Sequence, residues 1–280
     1  MTSMPMPSLF ISHGSPMVAL EPGAAGAFWQ RLGPVIDRTF GRPGAIVAVS
    51  AHTAAREPVL LAGAQHEAVY DFGNFDPTLF TLRYDAPGAP NLAPRVAGLL
   101  QAAGITVHPV DQGGLDHGIW TVLRYLYPDA DVPVLPLAFV PTQSPGQQFH
   151  LGEALAPLRA QNVLVLGTGS ITHNLRRLFS VRQTGAGEPP EIPESAAFRQ
   201  WMADRSQAHD WPALFDYRRR APHAVDMHPT DEHLLPWFVA AGAGGADAPV
   251  VRLHESVTMG LLGMDAYAFG DQAPRLAQAL

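Results

Sequence analysis

Histidine carries the chemistry of this sequence. Six of its twelve histidines sit in short, turn-like contexts. They are His13 in Ser-His-Gly-Ser-Pro (12–16), His52 in Ser-Ala-His (50–52), His117 in Asp-His-Gly (116–118), His173 in Thr-His-Asn-Leu (172–175), and His228 with His233 in His-Pro-Thr-Asp-Glu-His (228–233). His13, His52 and His173 each follow an apolar run that reads as a buried strand: Leu9-Phe10-Ile11, Ala45 to Val49, and Val163 to Leu166. In a parallel α/β sheet, ligands bind just beyond the carboxyl ends of the strands. Imidazoles brought to that edge from different strands point to a metal-binding cleft.

The spacing narrows the set. His66, His108, His150, His209, His223 and His254 lack such a context and read as structural; His150 falls on a helix with no partner at useful spacing. His13 and His52 stand out because turn-forming or small residues follow a buried strand, and Gly14 lets the backbone turn sharply beside the ring. His173 follows Gly167-Thr168-Gly169-Ser170, which lacks the flanking pattern of a GxGxxG fingerprint, a Walker lysine or a GxSxG elbow. Glu232 and His233 fall near the start of a predicted helix, where adjacent side chains point about 100° apart. Only one of them is then expected to face the cleft. Glu232 would make a two-histidine, one-carboxylate iron site, and His233 a three-histidine site.

Absences exclude rival chemistries. There is no cysteine, so disulfides, thiolate zinc sites, iron–sulfur clusters and cysteine nucleophiles are out. There is no lysine either, so Schiff-base chemistry and a Walker A lysine are unavailable. Histidine, carboxylate, tyrosine, hydroxyl groups and a bound metal remain. The formal net charge of -7 and pI near 5.9 argue against nucleic acid as a partner. Arg218-Arg219-Arg220 reads as a solvated helix end. No signal-peptide pattern and no apolar stretch of membrane-spanning length is present, so a soluble, cytoplasmic protein with no membrane partner is expected.

The 280 residues, 47% hydrophobic and 15% charged, suit one large α/β domain spanning 1–280. Predicted strands cover Ser8–Ser12, Ala45–Ser50, Ile105–Val110, Val132–Val140 and Val163–Leu166, with closing strands at Val250–Leu253 and Leu262–Phe269. Predicted helices cover Ala24–Thr39, where Phe28, Leu32, Val35 and Ile36 form a stripe, then Leu92–Ala103, His117–Tyr127 capped by Asp116, and Gln147–Ala160. Another begins near Thr172 or Asn174, and later ones cover Ser195–Gln207, Pro212–Arg220 and Thr230–Ala241. Tyr70 to Asp76 is an aromatic loop, and Gly185–Pro193 a mobile one. The alternation gives a single α/β domain with a central, largely parallel mixed sheet flanked by helices.

The motifs together resemble a known family. His-Gly-Ser-Pro (13–16), Ser-Ala-His (50–52), Tyr-Asp-Phe-Gly (70–73), Tyr84 with Ala-Pro-Gly (86–88), Asp-His-Gly (116–118), Thr-His-Asn-Leu (172–175) and Pro-Thr-Asp-Glu-His (229–233) are similar, in order, to the class III extradiol ring-cleavage dioxygenases. The match is nearer to the DOPA 4,5-dioxygenase type within the LigB-like superfamily. The resemblance implies a non-haem Fe(II) enzyme, with Zn(II) possible as isolated, acting on a catechol-type small molecule and O₂. It implies that His13, His52 and His233 are metal ligands and that His117 and His173 are catalytic, His173 being a candidate fourth ligand. The protocatechuate-cleaving branch has a glutamate as third ligand, and the matching position here is His233.

The residue inventory suits that chemistry. A catechol can fill two open metal positions and O₂ a third, so both reactants share one coordination sphere. A neutral imidazole is suited to taking the hydroxyl proton. Two other readings use the same residues. One is a zinc-dependent hydrolase, which would consume no oxygen. The other is a non-catalytic, metal- or peptide-binding protein like the Memo family; His117 and His173 beside the ligand set argue for catalysis instead. Arg83, Arg176 and Arg177 are candidates for pairing with a substrate carboxylate. Nothing in the sequence fixes an oligomeric state.

Overall fold

Ser8–Ser12, Ala45–Ser50, Val134–Ala138 and Val163–Gly169 are apolar runs, and every residue in them is buried. In the computed structural model, which describes residues 4–178 and 188–280, these strands lie parallel in the order Val134–Ala138, Ala45–Ser50, Val163–Gly169, Ser8–Ser12. Beyond Ser8–Ser12 come Ala266–Phe269 and then Val250–His254, both paired antiparallel. On the other flank, Val59–Leu61 pairs antiparallel with Val134–Ala138 and carries His108–Val110 at the edge. The result is an eight-stranded, mostly parallel mixed sheet with helices on both faces.

The continuous apolar character of the central strands follows from covering both faces. Side chains alternate across a strand. Phe10, Val47, Val49, Val163 and Val165 enter one core, with helices Pro145–Leu155 and Leu235–Gly244. Leu9, Ile11, Ile46, Ala48, Leu164 and Leu166 enter the other, with helices Gly23–Phe40 and His117–Leu126. The predicted stripe Phe28, Leu32, Val35, Ile36 is buried in this second core. No helix among the described residues is long and apolar enough to cross a membrane.

Several boundaries differ from expectation. The Ile105–Val110 strand shortens to His108–Val110, exposed throughout. It pairs on one side only, and Pro109 has no N–H to offer a further strand. Val59–Leu61 carries no visible sequence signal, because three residues are too few to establish alternation. The Gln147–Ala160 helix gives way at Ala156 to a 3₁₀ segment that contains Pro157. Leu262–Phe269 divides into Leu262–Gly263, in a small ribbon with Val257–Thr258, and the sheet strand Ala266–Phe269. Pro212–Arg220 becomes two short helices, Trp211–Phe215 and Tyr217–Arg220. Of the Gly185–Pro193 loop, 185–187 fall outside the described residues, and Pro193 already begins a helix. The helix expected from Thr230 begins at Leu235, because Pro236 and not Pro229 occupies its first turn.

Parallel pairing sets the level of the strand ends. Ser12 pairs with Gly169, and Ser50 with Thr168. The residues that follow therefore leave the sheet side by side at its carboxyl edge.

Candidate active site

Each clustered histidine is delivered by main-chain bonds that continue the sheet. His13 N–H donates to Gly169 O at 2.9 Å, and Gly14, at φ 65°, then turns the chain away. Ala51 N–H donates to Thr168 O at 3.0 Å, so His52 starts its turn at the same level. The hydroxyls of Ser50 and Thr53 flank that turn and both donate to the Asp116 carboxylate. Asp116 also caps helix His117–Leu126 by accepting from Ile119 N–H. One carboxylate thus ties the His52 loop to His117. His233 comes from the far side of the chain: Ser170 N–H donates to its carbonyl at 2.9 Å. Gly169 permits this approach, since a Cβ there would lie 2.0 Å from His233 O.

These loops bring three imidazole nitrogens face to face. His13 Nε2 lies 3.2 Å from His52 Nε2, and His52 Nε2 lies 3.3 Å from His233 Nε2. Two nitrogens each about 2.1 Å from one ion stand roughly 3.0–3.4 Å apart for angles between octahedral and tetrahedral. The spacing therefore fits a shared metal ion. The far side of each ring decides which nitrogen keeps a lone pair. Thr168 Oγ1 gives its only proton to Gly118 O at 2.8 Å, so it can only accept from His13 Nδ1, 3.0 Å away. Glu232 Oε1 faces His233 Nδ1 at 3.1 Å, and Asp71 Oδ2 faces His52 Nδ1 at 3.6 Å, a contact longer than a hydrogen bond. With hydrogens on the Nδ1 atoms, the Nε2 lone pairs are left pointing at one another.

Burial and crowding keep the rings neutral. Burial, then the nearby imidazoles, push His13 well below the usual histidine range and His52 to about 3. Burial lowers His233 as well. For Glu232, burial opposes ionisation, but the His233 hydrogen bond and backbone donors outweigh it and hold the carboxyl near 2. The site therefore presents uncharged nitrogen donors backed by ionised carboxylates.

His117 and His173 flank this group on opposite sides. The His117 ring is 4.0 Å from His52 and 5.3 Å from His13 between centroids. Asp71 Oδ1 accepts from both His117 Nδ1 at 2.9 Å and His117 backbone N–H at 3.0 Å. Phe72 meets the ring edge-on at 5.6 Å. His173 stacks on His233, with centroids 3.5 Å apart and planes 8° apart. A second possible donor group joins His173 to Glu232 and His233, and a third joins His52, Asp71 and His117.

Five of the six loop histidines therefore meet. His228 does not: it is fully buried, its Nε2 donates to Ile171 O at 3.0 Å, and it packs on Phe198. Glu232 and His233 occupy a turn and not a helix, so the 100° argument does not apply and both reach the site, one as partner of the other. Arg83 and Arg177 face their own carboxylates, Asp85 for the first and Glu194 with Asp226 for the second. His150, expected to have no partner at useful spacing, pairs with Glu153 at i,i+3, one turn along the same helix. Sequence reasoning also missed Asp71 and Thr168. The available signal for Asp71 was a lone carboxylate among the aromatics of Tyr-Asp-Phe-Gly; Thr168 was hidden in a strand end.

Thr168→Val keeps the shape of a buried strand residue but leaves the His13 Nδ1 hydrogen without an acceptor. Partners of this kind are typically worth about 10–100-fold in metal affinity. Zinc affinity measured by competition with a chromogenic chelator should fall by that factor, and an unchanged affinity would show that Thr168 does not orient His13.

Comparison with known proteins bears on what such a site is for. The family model described as the catalytic LigB subunit of aromatic ring-opening dioxygenase matches residues 7–270. The 4,5-DOPA dioxygenase extradiol of Escherichia coli K12 is 34% identical over 274 residues, covering 96% of this chain and 97% of that protein. The Beta vulgaris protein of the same name is 33% identical over 268 residues, covering 94% and 96%. A crystal structure of an uncharacterized Escherichia coli K12 protein superposes with a TM-score of 0.77 at 32% identity, covering 95% of this chain and all of that one.

Proposed function

The chain belongs to the LigB family of extradiol aromatic ring-opening dioxygenases, and we propose that it opens catechol-type rings beside the diol with an Fe(II) ion held by His13, His52 and His233. The carrying observation is the set of three Nε2 atoms at 3.2 and 3.3 Å with Nδ1 sides turned to Thr168, Asp71 and Glu232. Held by these three nitrogens, Fe(II) would supply Lewis acidity toward a vicinal diol and a redox-active centre that Zn²⁺ lacks. Three neutral imidazoles alone would leave the charge of a divalent ion unbalanced; Asp71 and Glu232 supply two nearby negative charges. We read residues 1–280 as one catalytic domain, an assignment supported by two cores packed on one sheet.

The chain's own groups divide the proton work. His117 has its Nδ1–H held by Asp71, so its Nε2 is the free base beside the cluster. It takes the proton of one substrate hydroxyl: the O–H bond breaks as Nε2–H forms, and the catecholate oxygen keeps the electron pair. His173, stacked on His233, is the second proton-transfer group: it takes the proton of the other hydroxyl and gives it back as the ring C–C bond next to the diol opens. Phe72, edge-on to His117, sets an apolar ring against the base. Both atoms of O₂ enter the ring-opened product.

Anaerobic loading with Fe(II), followed by oxygen-uptake measurement over a panel of catechols, tests this. We expect oxygen consumption and a yellow semialdehyde with the iron-loaded protein. Zinc-loaded protein should bind catechols but turn over poorly, and phenols lacking one of the two hydroxyls should be inert. No oxygen uptake across the panel, with iron occupancy confirmed, overturns the reading.

A further inference from the structure

Asp71 sits where two functions meet. A carboxylate accepts through both oxygens, with about four lone-pair sites. Asp71 Oδ1 takes the backbone N–H and the Nδ1–H of His117, at 3.0 and 2.9 Å. Its Oδ2 faces His52 Nδ1 at 3.6 Å. The two rings it serves are 4.0 Å apart between centroids. The loop that carries it is fixed at both neighbours. Tyr70 donates its hydroxyl to Leu82 O at 2.5 Å, and Phe72 packs against His117 and Phe80. Val69 N–H reaches Leu115 O at 2.7 Å, just before the start of the helix that Asp71 also touches. The other carboxylates have different work: Asp116 is taken up by Ser50 and Thr53, and Glu232 contacts His233.

We infer that Asp71 is a shared positioning residue: through Oδ1 it orients the His117 base, and through Oδ2 it orients the His52 metal-binding nitrogen, so one side chain couples proton transfer to metal retention. The inference rests on the functional reading above. It goes beyond that reading in assigning both roles to a residue outside the proposed three-nitrogen ligand set. With the His117 Nδ1–H held at 2.9 Å and the His52 Nδ1 side turned toward Oδ2, the His117 Nε2 keeps its lone pair and the His52 Nε2 faces the other two Nε2 atoms. An asparagine cannot reproduce this, because its amide has one acceptor and one donor end. If its oxygen keeps His117, its NH₂ faces His52 Nδ1 and drives the ring hydrogen to Nε2, where it blocks ligation.

The test uses the full-length protein and two readouts. Zinc affinity, by competition with a chromogenic chelator, reads the His52 arm without turnover. The kcat of Fe(II)-saturated enzyme with catechol reads the His117 arm. Asp71→Ala should lower zinc affinity about 10–100-fold and also lower kcat. In a His117→Ala background the kcat effect of Asp71→Ala should vanish, the non-additivity expected of residues acting through one group, while the affinity effect persists. Unchanged zinc affinity, or kcat losses that simply multiply, overturns the proposal. If circular dichroism shows Asp71→Ala unfolded, Asp71→Asn decides: it should lose at least one readout, and wild-type values in both overturn the proposal. Failure of the parent reading is separable. It would show as no oxygen uptake by the iron-loaded wild-type protein, or as full turnover in His117→Ala itself, while zinc affinity still tests the His52 arm.

Discussion

His13→Ala, His52→Ala and His233→Ala should each yield protein that folds but does not retain its metal. Structural zinc in zinc-finger peptides gathers about 10–16 kcal/mol from its donors, a scale for what each donor contributes here. Removing one of three donors forfeits about a third of that, so binding should weaken on the order of 10²–10⁴-fold, and oxygen uptake should fall below detection. Elemental analysis after dialysis against metal-buffered solution reads the first effect. Circular dichroism checks the fold, because His13 and His233 are both buried. Glu232→Ala should behave differently. Its carboxylate faces His233 Nδ1 and not the three-nitrogen cluster, so a milder loss of about 10–100-fold is expected. Full occupancy in any histidine variant would remove that residue from the ligand set. Loss in Glu232→Ala as severe as in His233→Ala would make the carboxylate a direct ligand.

For His117→Ala we expect a 10²–10⁴-fold fall in kcat with metal content preserved, the usual weight of a general acid–base group. The separation of the two effects is the informative part. His117 lies 4.0 Å from the His52 ring but belongs to a different donor group from the three-nitrogen cluster. His173→Ala should also slow turnover. Because its ring lies parallel on His233 at 3.5 Å, some loosening of the metal would accompany that loss. Single-turnover measurements on iron-loaded protein would read these rates directly. Near-normal kcat in both variants would place the base elsewhere.

The fold was largely readable because its signals are local. Ala45–Ser50 and Ser8–Ser12 are bounded as expected, since a strand buried on both faces must be continuously apolar. The Asp116 cap and the helix after it were legible for a similar reason: a carboxylate accepting from the first turn is set within four residues. Val59–Leu61 was not, because its partners lie far along the chain and three residues are too few to show a period; nor was the divided Leu262–Phe269 segment, whose first piece turns back on the adjacent Val257–Thr258 and whose pieces are too short to show a period.

For the candidate site, the sequence by itself determined which chemistry was open. Without cysteine or lysine, histidine and carboxylate had to carry it, and the expected strand ends at Ser12, Ser50 and Leu166 placed His13, His52 and His173 at one edge. Only the tertiary structure decided how those rings face. Whether His233 or Glu232 turned toward the cluster depended on a turn laid across Gly169, not on helical phase. His228 has the same kind of sequence context as the others, yet it packs beneath the site on Ile171. Thr168 and Asp71 became visible only in three dimensions. A ring nitrogen's lone pair is fixed by what accepts from the opposite nitrogen, and those acceptors lie 155 residues away for His13 and 46 for His117.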